Sequence, residues 1–265
     1  MELGLKGKVV LLTGASGGIG RPLARAFAEE GALVAATYLH RAEAAGKLAE
    51  EIATAGGHAL PVRMDMTDRR SVRETVETVV REWGGIDVLV VNASASGGPQ
   101  PRPVPFEEVA PETWLTQLRS ETEGAFHTVQ AALPSMRGRG WGRIVFMSAS
   151  IVNRGRKGEE AYTAGKSALH GLSRTLSTEL FELGILSNVV APGPTVTEGL
   201  LGKVPANLRD RLTGLGPEEA RKLLNEAMPQ LRFSTVDDVS NTVLFLASAA
   251  NGNITGNVVT VDGGH

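Results

Sequence analysis

The chain has 265 residues, 42% of them apolar and 5% aromatic, and its 27 basic residues nearly balance its 29 acidic ones. That size suits one large α/β layer structure with a sizeable core, and the charge balance offers no basic footprint for nucleic acid. No cysteine is present, which excludes disulfides and thiolate chemistry, and the five histidines (His40, His58, His127, His170, His265) lack ligand spacing, so no metal is expected.

From Met1 to Lys6 the chain runs straight into a strand, without the charged region, apolar run and cleavage site of a leader, and no stretch is apolar enough to span a bilayer. A cytoplasmic protein without membrane contact is expected. Lys8 to Thr13 reads as a short apolar strand, and Arg21 to Glu30 as a helix burying Leu23, Ala24 and Phe27. A strand at Leu33 to Tyr38 and a helix at Ala42 to Ala55 follow, then a strand at Ala59 to Met64. Asp68 to Trp83 sets Val72, Val76, Val79, Val80 and Trp83 on one helical face, and Ile86 to Val91 reads as a buried parallel strand. The alternation continues with a helix at Trp114 to Met136, a strand at Arg143 to Met147, a helix at Glu160 to Phe181 and a strand at Ile185 to Val190. A helix at Val236 to Ala247 and a strand at Asn257 to Val261 close it.

This order predicts a Rossmann-type, doubly wound α/β fold: a mostly parallel, seven-stranded sheet with helices on both faces, and ligands outside the carboxyl ends of the strands. The whole chain, 1–265, is expected to form a single dinucleotide-binding catalytic domain. Two segments interrupt the rhythm. Ser94 to Pro111 holds five prolines, among them Pro99, Pro101, Pro103 and Pro105, and Thr197 to Pro229 carries helical patches of its own. Both follow strands on the ligand side, so a rim and a substrate lid at about 197–229 are expected.

Between the first strand and helix stands Thr13-Gly14-Ala15-Ser16-Gly17-Gly18-Ile19-Gly20. Its glycines allow a tight turn, and a diphosphate can reach backbone amides at the positive end of the helix. The second motif is Tyr162 with Lys166, four residues apart on one helical face, where an ammonium can favour the ionised phenol and bring it into acid–base range. The plainer alternatives are a flexible turn, a core aromatic and a surface amine. At the end of the second strand, Thr37-Tyr38-Leu39-His40-Arg41 lacks the acid that holds the ribose hydroxyls of the unphosphorylated cofactor. Arg41, with His40 and Ser16, can meet a 2′-phosphate, so NADPH is favoured over NADH; alternatively Arg41 is a solvated residue at a helix start.

With Thr13, Gly14, Gly18 and Gly20 in the spacing Thr-Gly-x-x-x-Gly-x-Gly, the chain resembles the short-chain dehydrogenase/reductase family, and in sequence style its 3-oxoacyl carrier-protein reductase branch. The resemblance continues through Asn92-Ala93, Tyr162, Lys166, Pro192-Gly193, Ile254-Thr255-Gly256 and Val261-Asp262-Gly263-Gly264. It implies cofactor contacts at Gly14, Ser16, Gly18, Ile19, Gly20, Tyr38, Asp65, Met66, Asn92, Ala93, Ser94, Tyr162, Lys166, Pro192, Gly193, Thr195 and Thr197. It also implies assembly as a homo-oligomer, a tetramer in most of the family, through long helices.

The chain departs from the family pattern in several places. The serine expected thirteen residues before the tyrosine is Ala149, flanked by Ser148 and Ser150, and Ser150 is taken as the candidate third catalytic residue beside Tyr162 and Lys166. The asparagine expected seven residues after Trp114 is Glu121. A carboxylate there can accept the family's bound water or pair with Lys166, partly cancelling its field at the phenol; or, like Glu123, it faces solvent or another subunit. Relatives using NADPH often carry a basic residue at the position of Gly17, and a glycine at that of Ser94.

The resulting expectation is an NADPH-dependent carbonyl reductase. Hydride goes to a ketone carbon, Tyr162 protonates the oxygen, and Lys166 orients the ribose and supports the phenol. The leucines of 197–229 (Leu200, Leu201, Leu208, Leu212, Leu215, Leu223, Leu224) suggest a bulky or hydrophobic small-molecule substrate. The alternatives are reduction of an activated carbon–carbon double bond and a low-turnover cofactor-binding sensor or scaffold.

Overall fold

β1 (Val9–Leu12) lies inside a seven-stranded sheet with β2 (Leu33–Tyr38) and β3 (His58–Arg63) on one side and β4 (Val88–Val91), β5 (Gly142–Met147), β6 (Ile185–Pro192) and β7 (Val258–Val261) on the other. The order is β3-β2-β1-β4-β5-β6-β7 and every pairing is parallel. This computed structural model describes residues 1–94, 104–202 and 204–264. Parallel neighbours need crossovers, which the helices α1 (Gly20–Glu29), α2 (Ala42–Thr54), α3 (Arg69–Trp83), α4 (Pro111–Arg139), α5 (Glu160–Leu180) and α9 (Val236–Leu246) supply. Between β6 and α9 come three shorter helices, α6 (Glu198–Leu201), α7 (Ala206–Leu212) and α8 (Pro217–Ala227).

The two-residue period of the strands splits the core in two. Val10, Leu12, Val34, Val88, Val90 and Val145 meet α1, α2 and α9 through Leu23, Phe27, Leu48 and Val243. Their sequence neighbours Val9, Leu11, Ala35, Leu89, Ile144 and Phe146 meet α3, α4 and α5 through Val79, Ala125, Val129 and Leu169. Helix α3 starts where the Asp68 side chain accepts the Arg70 amide, and it stops at Gly84, whose φ of 77° suits a residue without Cβ. Val80, expected on its buried face, is 37% exposed: one residue past Val79 the helix has already rotated away from the sheet.

Helix α4 begins three residues before the sequence expectation, because Pro111 occupies a first-turn position that needs no amide. Helices α7 and α8 gather Leu208, Leu212 and Leu224 with Val196, Val204 and Phe233 into a separate small core. The cover after β6 therefore spends most of its leucines on its own stability. Lys203 and residues 95–103, including Pro99, Pro101 and Pro103 of the expected rim, lie outside the described residues, as does His265. Among the described residues no helix is long and apolar enough to cross a membrane, and no cluster of side chains suits a metal ion.

Candidate active site

The order of the sheet reverses between β1 and β4, and the glycine loop leaves β1 at that switch point. Thr13 and Asn92 lock the loop to the end of β4. The amides of Asn92 and Ala93 both donate to Thr13 Oγ1 at 2.8 Å, and Asn92 Nδ2 donates to the carbonyls of Thr13 (2.9 Å) and Gly14 (3.2 Å). On the other side the Gly14 amide donates to Thr37 Oγ1 (3.2 Å) and the Ala15 amide to the Thr37 carbonyl (2.8 Å).

The glycines are steric necessities here. A Cβ on Gly14, which has a φ of +67°, would stand 2.9 Å from Ala93 Cα, and one on Gly20 would run into the Gly14 carbonyl. Helix α1 opens at Gly20 with no side-chain cap and no acid in its first turn. The loop is thus a backbone cradle at a positive helix end, with Ser16, Gly18 and Ile19 along it, and it fits the diphosphate of a dinucleotide.

At the end of β2, Arg41 is exposed and folds back over this loop. Its Nη1 lies 2.8 Å from where a Cβ on Gly17 would be, so the glycine leaves room for the guanidinium. Next to it, Asp65 follows β3. Its Oδ1 accepts the Thr67 hydroxyl (2.6 Å) and amide (2.9 Å), and the hydroxyl bond most of all holds the carboxyl below its ordinary range, helped by the nearby charges of Arg63 and His40. Met66 turns inward, against Gly124 of α4.

Tyr162 and Lys166 share a face of α5, with Lys166 Nζ 5.7 Å from the centre of the phenol ring. The ammonium is nonetheless committed elsewhere. It pairs with Glu121 Oε2 at 2.9 Å and donates to the Met147 carbonyl at 3.0 Å, and both side chains of the ion pair are almost fully buried. The Ser94 hydroxyl donates to the other oxygen of Glu121. The Tyr162 phenol is accordingly pushed up, by burial first and then by the charges of Glu121 and Glu159, while Arg156 opposes them. Of the alternatives the sequence left open for Glu121, the structure shows the pair with Lys166, so the lysine's charge meets a carboxylate before it meets the ring.

Residue 149 is extended (φ −153°, ψ 143°) at the end of β5, and Ser150 opens a turn of 3₁₀ helix, buried. Ser148 points into α5 instead, where its Oγ meets His170 Nε2 at 2.8 Å and donates to the Lys166 carbonyl at 3.2 Å. Burial lowers the His170 imidazole below its ordinary value. After β6, Gly193 lies against Asp262, Thr195 Oγ1 donates to the Gly193 carbonyl at 3.0 Å, and Thr197 caps α6 by accepting the Leu200 amide. Two members of this constellation carry no side-chain signal in the sequence: the Met147 carbonyl, and Gly165, where a Cβ would stand 2.9 Å from Glu121 Cβ.

Known proteins resemble the chain over nearly its whole length. Residues 14–265 match the family described as "Enoyl-(Acyl carrier protein) reductase". The chain is 34% identical to the 3-oxoacyl-[acyl-carrier-protein] reductase FabG of Thermotoga maritima over 260 residues, covering 98% of each chain. It is also 34% identical to the FabG of Aquifex aeolicus over 265 residues, 100% of this chain and 99% of that one. Among solved structures, a 7α-hydroxysteroid dehydrogenase complexed with NADH and 7-oxo glycochenodeoxycholic acid superposes with a TM-score of 0.84 at 28% identity, over 99% of this chain and 96% of that one. A short-chain type dehydrogenase/reductase from Mycobacterium marinum gives 0.81 at 31% identity, over 99% and 97%. The chain belongs to the short-chain dehydrogenase/reductase family, as an oxidoreductase that uses a nicotinamide dinucleotide.

Proposed function

We propose that the protein is an NADPH-dependent carbonyl reductase acting on a bulky ketone. One chain of contacts carries the reading. Lys166, beside Tyr162, pairs with Glu121; Glu121 takes the Ser94 hydroxyl; and Asn92 and Ala93, just before Ser94, are bonded to the glycine loop. The acid–base pair and the diphosphate cradle thereby share one end of the sheet. A nicotinamide dinucleotide bound at the cradle would supply the hydride for the carbonyl carbon. Tyr162, whose neutral form burial favours, donates its O–H proton to the carbonyl oxygen, and Lys166 would have to turn from Glu121 to orient the ribose. Ser150 is the side chain nearest in sequence that can take over the oxygen-holding task missing at Ala149.

The preference for NADPH rests on Arg41, whose guanidinium lies over the loop, and on the absence of an acid in Thr37 to Arg41. Support for a bulky substrate comes from the length of the cover between β6 and α9 and from the steroid ketone held by the similar dehydrogenase, since the leucines of the cover mostly face one another. A second reading, reduction of an activated double bond, is favoured by the description of the matching family and needs the missing serine less. We further propose a homo-oligomer built through the long helices, where Phe126 of α4 is 51% exposed.

The test is cofactor affinity together with turnover. The protein is expected to bind NADPH more tightly than NADH, to lose that preference in Arg41→Ala, and to convert ketones faster than matched enoyl compounds. Oxidation of the cofactor should disappear in Tyr162→Phe. Tighter binding of NADH, or faster conversion of the enoyl partner, would overturn the corresponding half of the proposal.

A further inference from the structure

We propose that Glu121 is a positioning residue which, by capturing Lys166, holds Tyr162 in its protonated form and so commits the site to proton donation. The carboxylate stands on the buried side of the long helix α4, facing Lys166 of α5. Its geometry is specific. Glu121 is 2% exposed, its Oε2 is 2.9 Å from Lys166 Nζ, and its other oxygen takes the Ser94 hydroxyl. Gly165 makes the approach possible, because any Cβ there would stand 2.9 Å from Glu121 Cβ and 3.1 Å from its Cγ and push α4 away.

Among the described residues, charges reach the phenol from three directions. Lys166 on α5 favours the phenolate, but its partner Glu121 on α4 lies nearer to it than the ring does and opposes the phenolate with equal charge. Ahead of α5, Glu159 opposes the phenolate and Arg156 favours it, and those two are paired with each other at 2.6 Å. Burial disfavours the ionised ring most, and the charges of Glu121 and Glu159 act in the same direction, so the phenol is favoured as a donor over a base.

The consequence for direction rests on the reductase reading. In reduction, hydride goes to the carbonyl carbon, the Tyr162 O–H bond breaks to protonate the oxygen, and the phenolate left behind regains a proton from solvent water. Oxidation of the alcohol needs the phenolate at the outset, so it should set in only at high pH and move to lower pH when Glu121 is neutralised.

The decisive experiment needs neither substrate nor cofactor. The chain has two tyrosines, Tyr38 and Tyr162, so phenolate absorbance followed through a pH titration, with Tyr162→Phe subtracted, isolates Tyr162. In the wild type its midpoint should lie above the ordinary value of about 10. In Glu121→Gln it should fall by about one to three pH units. Should the glutamine variant not fold, Glu121→Asn, a smaller neutral amide, takes its place with the same expectation. Glu121→Asp keeps the charge and should keep the midpoint near that of the wild type. The proposal fails if the wild-type midpoint lies below about 10, if neutralising Glu121 leaves it unmoved, or if the aspartate lowers it as far as the glutamine does. Such a failure leaves the reductase reading standing, whereas a raised midpoint in a protein that reduces no ketone removes that reading alone.

Discussion

Residue 149 is an alanine where the family pattern has a serine, and its neighbours divide the possible compensation between them. Ser148 is occupied by His170 and the Lys166 carbonyl, so it has little freedom to serve a substrate. Ser150 begins a 3₁₀ turn in which the backbone bends out of the alternation of β5. Loss of a donor to a developing oxyanion costs about 10²- to 10³-fold in rate, which leaves room for recovery. Ala149→Ser is therefore expected to hold or raise kcat for ketone reduction, by up to about 10²-fold. A severe loss in a folded variant, checked by circular dichroism, would show that residue 149 does not face the reacting oxygen. Gly17 illustrates a similar trade at residue scale, since its missing side chain is what lets Arg41, just before α2, reach the loop.

At the scale of elements, the far end of β5 is held by Arg143. Its guanidinium, 5% exposed, donates to the carbonyls of Gly142 (2.8 Å), Gly184 (3.2 Å), Ser248 (3.1 Å) and Asn251 (2.9 Å), and it stacks 4.4 Å from the Trp141 ring that also carries Lys8 at 4.0 Å. One side chain thus ties β5 to the turn before β6 and to the segment after α9. Arg143→Met leaves those carbonyls without their donor and is expected to destabilise the fold by about 2–4 kcal/mol, read as a lower denaturation midpoint, with kcat of the folded protein kept. A loss under about 0.5 kcal/mol would mean that the carbonyls find other donors.

The strands and long helices were legible in the sequence to within a few residues, because period-2 and period-3.6 burial write themselves into apolar spacing. The boundaries that moved did so for local reasons: Pro111 extends α4 backward, and β6 runs on to Pro192 beside Val261 of β7. The leucines of 200–224 were legible as apolar but not as to their partner, since apolar spacing does not say whether a helix packs on a ligand or on its neighbour.

For the whole molecule, the same sheet that buries its two faces leaves part of α4 open. Phe126 is 51% exposed beside His127, and Leu115 of the same helix is 38% exposed. The proposed homo-oligomer would bury these residues against a second copy. Phe126→Glu should lower the mass measured by analytical ultracentrifugation, because a charge at a buried contact opposes assembly. An unchanged mass would move the interface elsewhere.

The sequence alone determined the order of strands and helices, the glycine cradle and the placing of Tyr162 and Lys166 on one helical face, because each depends on local backbone geometry and short spacing. It also exposed the departures at Ala149 and Glu121. Tertiary structure alone decided which partner the lysine takes: the distance between α4 and α5, set by the bare backbone of Gly165, brings a carboxylate 2.9 Å from an ammonium that spacing along one helix had assigned to the phenol. Charge follows proximity in space, and that proximity joins residues 45 positions apart in the chain (166 − 121).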